Sequence, residues 1–263
     1  MTESIIHVHR GGPLVALVGN PNCGKSALFN LLTGSRQKVA NYAGVTVERK
    51  EGSLALADGP TLRVLDLPGT YSLYPRSQDE RITCDVLMGR AIGEKRPDVL
   101  VCVVDATNLR RGLRLVLAVK RLGLPCVVAL NMSDMAAQRG LHIDTETLSA
   151  ALGLPVVSTV AVQTAGDTAL RDWLAAASWR NGGPLLAAEE VSVEEDHRVV
   201  QDILRRLHLD QLLPDTVSDR LDRVFLHPLW GPLILSVLLF LIFQAVFSWA
   251  AVPMDAIKSA TAW

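Results

Sequence analysis

The stretch that decides the fold reads Gly19-Asn20-Pro21-Asn22-Cys23-Gly24-Lys25-Ser26. The apolar run 14–18 before it predicts a buried strand, and residues 27–32 after it predict a helix. The spacing G-x-x-x-x-G-K-S between a strand and a helix is the P-loop pattern, in which backbone N–H groups turn inward around a polyphosphate. Lys25 is expected to reach the β- and γ-phosphates, and the Ser26 hydroxyl to ligate Mg²⁺. The alternative, a tight turn without a ligand, leaves both side chains without a packing role.

The composition excludes several classes of protein. The chain of 263 residues is long enough for one substantial domain and a smaller one. Its 26 Lys and Arg residues nearly balance its 27 Asp and Glu residues, so no broad nucleic-acid-binding surface is expected. The four cysteines lie far apart and form no C-x-x-C pair. This spacing argues against a zinc site and fits a reducing cytosol.

Residues 35–50 are polar and interrupted by glycine, which predicts a mobile loop that leads into an edge strand at 52–57. Thr46 lies in this loop, downstream of the P-loop. We expect Thr46, with Gly44 and Val45 beside it, to contact the nucleotide and to complete the Mg²⁺ shell when the γ-phosphate is present. The alternative for Thr46 is a β-branched residue that begins a strand.

The strand predicted at 61–65 ends in the motif Asp66-Leu67-Pro68-Gly69. The carboxyl end of a strand beside the P-loop strand is where α/β sheets place ligand chemistry. Asp66 is therefore expected to hold Mg²⁺, directly or through water, and the Gly69 N–H to sense the γ-phosphate. Residues 70–79 then predict a polar loop that orders or relaxes with that contact. A simple turn residue is the alternative for Asp66.

A second motif follows two further strands. The runs 98–105 and 125–130 are typical of strands buried on both faces, and residues 109–122 between them predict a helix. The second strand delivers Asn131-Met132-Ser133-Asp134. The Asp134 carboxylate can accept hydrogen bonds from guanine N1–H and the exocyclic amine, which adenine does not present in that way, and Asn131 can brace the P-loop. N-x-x-D alone is often a helix cap, but its position after a P-loop favours guanine.

Alternating strands and helices indicate the fold class. A strand is predicted at 154–157, and the backbone of the loop 158–162 after it can contact guanine O6. Helical signals occupy 144–152 and 166–178. The whole pattern predicts an α/β fold with a mostly parallel six-stranded sheet and helices on both faces.

Three segments follow the domain predicted over residues 1–180. Residues 181–227 carry apolar side chains at helical spacing amid charge, which predicts a small helical domain. Residues 228–254 contain no Asp, Glu, Lys or Arg, and their length and flanking tryptophans predict a transmembrane helix, with 255–263 as a tail. Because guanine nucleotides are cytosolic, the domain before this helix should face the cytoplasm. A buried helix of a soluble domain is the alternative.

These motifs resemble those of the P-loop GTPases and, among them, the bacterial ferrous iron transport protein B (FeoB) family. G-N-P-N-C-G-K-S, Thr46, D-L-P-G and N-M-S-D match in order over residues 14–165, and N-Y-A-G-V-T-V-E and H-P-L-W-G-P extend the resemblance. It implies a GTPase domain on the cytoplasmic side of the bacterial inner membrane, a helical part that modulates nucleotide release, and a longer protein whose further membrane helices carry Fe²⁺. The lipid bilayer is then a partner, and self-association or small cytosolic accessory proteins are open possibilities.

The motifs and the resemblance together define a predicted site for GTP or GDP, Mg²⁺ and K⁺. The predicted nucleotide-binding residues are Gly19, Asn20, Pro21, Asn22, Cys23, Gly24, Lys25, Ser26, Gly44, Val45, Thr46, Asp66, Leu67, Pro68, Gly69, Asn131, Met132, Ser133, Asp134, Val160 and Ala161. The predicted catalytic residues are Asn22, Lys25, Thr46 and Gly69. Ser26, Thr46 and Asp66 are expected to hold Mg²⁺, and resemblance to potassium-dependent relatives implies that Asn22 and switch-loop carbonyls hold K⁺.

The chain departs from its relatives at three places. Val160-Ala161 stands where relatives usually have Ser-Ala, so only a backbone contact from Ala161 is expected there. Ala43 replaces a frequent proline of the switch loop, and Thr70 occupies the position of the water-orienting glutamine of Ras-like enzymes. Without that glutamine or an arginine finger, hydrolysis is expected to be slow.

Three other functions remain possible. A soluble ribosome-assembly GTPase needs an RNA-binding domain, and the tail here is apolar rather than basic. A P-loop kinase needs a lid rich in arginine and leaves N-M-S-D unexplained. A nucleotide-sensing module, in which binding matters and hydrolysis is incidental, has the same motifs as a true GTPase.

Overall fold

Seven strands form one sheet in a computed structural model that describes residues 12–34, 37–56, 60–180, 193–209, 224–225, 227–246, 257 and 259. The strands are β1 (Leu14–Gly19), β2 (Gln37–Asn41), β3 (Glu48–Leu54), β4 (Leu62–Asp66), β5 (Val99–Asp105), β6 (Cys126–Asn131) and β7 (Val156–Ser158). Their order across the sheet is β2-β3-β4-β1-β5-β6-β7. The β2–β3 and β3–β4 pairs are antiparallel and the other four are parallel. The predicted mostly parallel sheet is confirmed.

Eight α-helices are described. They are α1 (Lys25–Thr33), α2 (Gln78–Leu87), α3 (Leu109–Lys120), α4 (Ser133–Gln138), α5 (Thr145–Leu152), α6 (Thr168–Ala176), α7 (Val193–Arg206) and α8 (Trp230–Gln244). Short 3₁₀ turns cover Ala106–Asn108 and Ser178–Arg180. The chain divides into two compact units, Met1–Gln211 and Leu212–Trp263, and the first contains the sheet and helices α1 to α7.

Apolar side chains cover both faces of the sheet. On one face, Ala16 and Val18 of β1 belong to a core that also contains residues of α2, α3, α5 and α7. On the other, Val15 and Leu17 belong to a core with residues of α1 and α6. The central strands are therefore apolar at nearly every position, since neither face meets water.

The prediction of six strands is wrong by one. The additional strand, β2, lies in the segment 35–50 that was predicted as a mobile loop, and it pairs from Gln37↔Gly52 to Asn41↔Glu48. It lies at the edge of the sheet, where Val39 is 54% exposed, and backbone hydrogen bonds rather than buried side chains hold it. Such a strand lacks the apolar alternation that would identify it. The strand predicted at the edge is β3, which is second in the sheet.

Helix α7 packs on the rest of the first unit through its apolar side. Val200, Ile203 and Leu204 are buried in the same core as α3. At the rim of this contact, Arg121, the residue that follows α3, forms a two-point ion pair with Asp196. Much of the helical domain predicted over 181–227 lies outside the described residues, so its extent stays a prediction.

The described part of the second unit contains α8. Its 15 residues are uncharged, and none of its side chains is buried. A bilayer-spanning helix needs about 20 residues, and among the described residues no helix is both long and apolar enough to cross a membrane. The transmembrane helix predicted over 228–254 is thus not found in the described part, which stops at residue 246 of that range.

Candidate nucleotide-binding site

The P-loop joins the carboxyl end of β1 to α1 and depends on its two glycines. Gly24 has φ +81°, a left-handed conformation that glycine adopts without strain. A Cβ atom there would lie 2.2 Å from Nδ2 of Asn131, so only glycine lets that side chain reach the loop. At Gly19, a Cβ atom would lie 2.6 Å from the carbonyl oxygen of Val103. Both glycines therefore permit close approach of neighbouring groups.

Three polar side chains converge beside the P-loop. The ammonium of Lys25 forms an ion pair with Oδ1 of Asp66, and both residues are at most 9% exposed. The Ser26 hydroxyl donates to Oδ2 of the same carboxylate at 3.0 Å. Hydroxyl and carboxylate oxygens are the hard ligands that Mg²⁺ prefers. The donor set of Ser26 and Asp66 therefore fits this ion.

The segment after Asp66 lies against the P-loop. The Leu67 N–H donates to the Leu17 carbonyl at 3.2 Å, and the Thr70 N–H donates to the Gly19 carbonyl at 3.1 Å. A Cβ atom at Gly69 would lie 3.1 Å from Pro21, so this glycine also brings the two loops together.

Helix α2 forms a hydrogen bond to the segment after Asp66. Its Thr83 hydroxyl donates to the Pro68 carbonyl at 2.9 Å, a contact that the sequence reasoning missed. Thr70 is fully buried, and its own hydroxyl donates to the Ser72 carbonyl at 2.6 Å. The Thr70 side chain is thus committed to the protein rather than to a substrate water.

Thr46 makes no hydrogen bond to Ser26 or Asp66. Its side chain is exposed in a turn that is closed by the hydrogen bond from the Tyr42 N–H to the Val47 carbonyl, at 3.0 Å. Gly44 in the same turn is exposed and has φ +78°. The ring of Tyr42 is buried at the base of this turn. Among the described residues, no hydrogen bond joins this turn to the P-loop or to Asp66.

Asn131 connects the P-loop to the loop after β7. Its Nδ2 donates to the Cys23 carbonyl at 3.0 Å, and its Oδ1 accepts the Ala161 N–H at 3.0 Å. Thr159 is buried beside it, with its hydroxyl 3.5 Å from the same Oδ1. One amide side chain thus ties together three segments of the predicted site.

Two further P-loop residues are buried. Nδ2 of Asn20 donates to the Arg111 carbonyl at the start of α3, at 3.0 Å, whereas its Oδ1 has no partner among the described residues. Burial raises the pKa of the Cys23 thiol to about 11, so this thiol is neutral at physiological pH. A third P-loop residue, Asn22, is exposed, and its φ of +65° places its backbone in the left-handed region.

The predicted base-recognition motif occupies the end of β6 and the first turn of α4. Met132 has φ +60°, and the Ser133 hydroxyl donates to the Leu130 carbonyl at 2.7 Å, which turns the chain sharply after the strand. The Asp134 carboxylate accepts a hydrogen bond from Nε2 of Gln163 at 3.3 Å. Sequence reasoning missed Gln163, because the motif position Val160-Ala161 marks this loop but not the residue two positions further on.

The comparisons with known proteins all point to one family. Residues 14–174 match the N-terminal FeoB family, described as ferrous iron transport protein B. The Fe(2+) transporter FeoB of Escherichia coli K12 is 49% identical over 162 residues, which are 60% of this chain and 20% of that protein. The Salmonella typhimurium transporter is 50% identical over the same shares. The chain thus spans about a fifth of the length of the curated relatives it matches.

Solved structures give the same result for the fold. The cytosolic domain of the T. maritima FeoB iron transporter in a GDP form superposes with a TM-score of 0.64 at 28% identity, over 74% of this chain and 97% of that one. The cytosolic domain of L. pneumophila FeoB superposes with a TM-score of 0.59 at 34% identity, over 81% and 97%. The first unit therefore has the predicted P-loop GTPase fold. Because the family match covers more than half of the sequence and every site residue described above, the chain belongs to the ferrous iron transport protein B (FeoB) family.

Proposed function

We propose that this chain binds GTP and hydrolyses it slowly to GDP and phosphate, as the nucleotide-binding part of a bacterial ferrous iron uptake transporter. The observation that carries the proposal is the contact of the P-loop residues Lys25 and Ser26 with the Asp66 carboxylate. Family membership supports it, because the relatives are Fe(2+) transporters and their solved cytosolic domains include GDP forms.

The chemistry proposed for these residues is charge neutralisation and positioning. The Lys25 ammonium exchanges its partner from the Asp66 carboxylate to the phosphate oxygens of the nucleotide, so a buried positive charge is balanced before and after binding. Ser26 and Asp66, with Thr46 after a rearrangement of its loop, hold Mg²⁺. When bound, this ion neutralises charge on the β- and γ-phosphates. The Gly69 N–H reports the γ-phosphate to residues 70–79.

Slow turnover and stimulation by K⁺ are parts of the proposal. Thr70 is buried and hydrogen-bonded within its own loop, which leaves the attacking water without a glutamine-like side chain. We propose that Asn22, together with carbonyls of the switch loop, holds K⁺ and so supplies positive charge that an arginine finger provides in other GTPases.

Specificity for guanine is assigned to Asp134. Its carboxylate lies in the first turn of α4, three residues after Asn131, whose side chain hydrogen-bonds to the P-loop at the end of β6. A carboxylate can accept both N–H groups on the guanine edge, and adenine offers only one donor group on the corresponding edge. The Ala161 backbone completes this end of the proposed site.

The proposed placement is on the cytoplasmic face of the bacterial inner membrane. The uncharged segment 228–254 is proposed as the first membrane anchor, and further membrane helices of a longer protein as the path for Fe²⁺. The helical part over 181–227 is proposed to modulate nucleotide release. Binding to a second copy or to a small cytosolic accessory protein is compatible with this arrangement.

Phosphate release from GTP and ATP by the purified full chain tests this function. We expect hydrolysis of GTP alone, its loss when Mg²⁺ is chelated, and a rate nearer about 10⁻⁴ to 10⁻² s⁻¹ than that of assisted GTPases. Thr46→Ala should slow phosphate release while leaving GDP affinity unchanged, since Thr46 is exposed and is proposed to act only when the γ-phosphate is present. Equal use of ATP would reject the proposal.

A nucleotide-sensing module is the second candidate function. It is favoured by the switch loop, because the Thr46 side chain is exposed and has no hydrogen bond to Ser26 or Asp66. Iron uptake by cells that carry the complete transporter with Thr46→Ala separates the two. Loss of uptake supports coupled hydrolysis, whereas normal uptake with slowed hydrolysis supports sensing.

A further inference from the structure

The Asp134 carboxylate has a protein partner that the motifs do not include. Nε2 of Gln163 donates to Oδ2 of Asp134 at 3.3 Å. Gln163 lies in the loop that connects β7 to α6, and the rest of its side chain is exposed. No other residue of the described chain hydrogen-bonds to this carboxylate. The contact therefore needs an explanation in terms of what Asp134 does.

The loop that carries Gln163 has a fixed conformation. The Val160 N–H donates to the Gly166 carbonyl at 2.9 Å, the Gln163 N–H donates to the Val160 carbonyl at 3.0 Å, and the Gly166 N–H returns to the Gln163 carbonyl at 3.0 Å. A Cβ atom at Gly166 would lie 2.1 Å from the Val160 carbonyl oxygen, so the turn closes only with glycine. Such a closed turn holds the Gln163 backbone in one place.

Both ends of this loop are anchored to the sheet and to α1. At its start, the Ala161 N–H donates to Asn131 at 3.0 Å. At its end, the buried carboxylate of Asp167 accepts from Arg171 at 2.6 Å, and Arg171 also donates to the Leu31 and Leu32 carbonyls of α1 at 3.0 Å. Gln163 is thus presented to Asp134 from a loop that is tied to two neighbouring elements.

The chemistry of guanine recognition gives this contact a use. A carboxylate that accepts two N–H groups of one base must hold both oxygens in the plane of that base, yet it rotates readily about its terminal torsion. Each oxygen has two lone pairs, so Oδ2 can accept from Gln163 and from guanine together. Val160, which stands where relatives usually have serine, is apolar, so its side chain cannot donate a hydrogen bond to the Asp134 carboxylate. A donor that fixes the rotation before the base arrives reduces the ordering entropy of binding.

We propose that Gln163 is a positioning residue for guanine specificity, which acts by orienting the Asp134 carboxylate. This inference rests on the proposed guanine-nucleotide binding and deepens it. It predicts that Gln163 matters most for a base that uses both carboxylate oxygens, namely guanine. Hypoxanthine, which lacks the exocyclic amine, uses one oxygen and should depend on Gln163 less.

Competition of unlabelled GDP and inosine diphosphate (IDP) against a fluorescent GDP derivative, on the full chain, tests the proposal. Gln163→Ala should weaken GDP binding about three- to ten-fold, weaken IDP binding less, and so lower the preference for GDP over IDP. Gln163→Glu should weaken GDP binding further, because two carboxylates then repel each other. Thr164→Ala, in the same exposed loop, is the matched control and should leave both affinities unchanged.

Two results distinguish this role from a structural one. In the Asp134→Asn background, Gln163→Ala should change GDP affinity less than two-fold, since the partner that it orients is gone. If the wild-type chain binds GDP normally and Gln163→Ala keeps the same preference for GDP over IDP, the proposal is overturned. If the wild-type chain itself fails to prefer guanine nucleotides, the proposed function falls, and this inference with it.

Discussion

The loop after β7 and the loop between β2 and β3 both belong to the predicted nucleotide site, but the protein holds them differently. The first is tied to β6 through the Ala161–Asn131 hydrogen bond and to α1 through Arg171. The second packs its Tyr42 ring into the core and is closed by the Tyr42–Val47 hydrogen bond, but it leaves Thr46 exposed and has no hydrogen bond to the P-loop among the described residues. The loop proposed to recognise the base is therefore held by hydrogen bonds to neighbouring elements, whereas Thr46 has no such bond to the residues proposed to hold Mg²⁺.

This difference separates two tasks. A preformed base pocket loses little entropy on binding and sets which nucleotide is accepted. A loop that must rearrange gains its stabilisation only from the contacts that the γ-phosphate provides, so it reports GTP against GDP. Variants of the fixed part should change affinity for both nucleotides, and variants of the switch part should change hydrolysis.

Loss of the Lys25 ammonium should have the largest effect. Lys25→Ala removes the charge proposed to contact the phosphates and leaves Asp66 buried without its cation. We expect GTP affinity to fall by about 3 kcal/mol, or roughly 150-fold, and the thermal midpoint to fall as well. Lys95→Ala, at an exposed pair with Asp98, is the control. Fluorescence titration with a labelled GTP measures the affinity, and unchanged binding would remove Lys25 from the site.

Asp134→Asn tests the preformed base pocket. Replacing the carboxylate by an amide removes a charged acceptor, so GDP and GTP affinity should both fall by about 1.5 to 3 kcal/mol, or about 10- to 150-fold. Equal losses for the two nucleotides would support a part of the site that does not sense the γ-phosphate. Calorimetric titration measures both, and the absence of any loss would exclude Asp134 from the base pocket.

Gly24→Ala should break the connection between the P-loop and the base pocket. The new Cβ would lie 2.2 Å from Asn131 Nδ2, at φ +81°, so the free energy of unfolding should fall by about 2 to 3 kcal/mol. Gly34→Ala is a matched control, because Gly34 has φ +61° with no atom within 4 Å and should cost only about 1 kcal/mol. Urea unfolding measures both. Equal losses would show that backbone strain alone matters at Gly24.

The sequence predicted the parts of this fold that burial determines. The central strands are apolar on both faces, and the P-loop, D-L-P-G and N-M-S-D follow three of them, so these motifs could be placed at one edge of the sheet. Strand β2 was missed because its stability comes from backbone pairing at the edge. Helix α2 was missed because its start is polar, although Ser77 caps it by accepting the Glu80 N–H at 3.2 Å.

Contacts between loops were the least predictable part of the site. Thr46 follows the expected order of motifs, yet its position depends on a turn whose hydrogen bonds are all backbone. Gln163 reaches Asp134 only because a closed turn brings residues 29 positions apart into contact. Motif spacing specifies which residues are available, and the loop conformation then decides which of them meet.

Asn22 gives the smallest expected effect and tests the proposed K⁺ site. Asn22→Ala should reduce the difference between GTP hydrolysis in KCl and in NaCl, because the amide oxygen proposed to hold K⁺ is removed. Alanine is also strained at the observed φ of +65°, so Asn22→Gly, which adopts this conformation freely, separates strain from ligation. Asn22→Asp keeps an oxygen ligand and should retain the K⁺ effect. A phosphate-release assay in both salts measures all three variants, and a full K⁺ effect in Asn22→Gly would place the K⁺ site elsewhere.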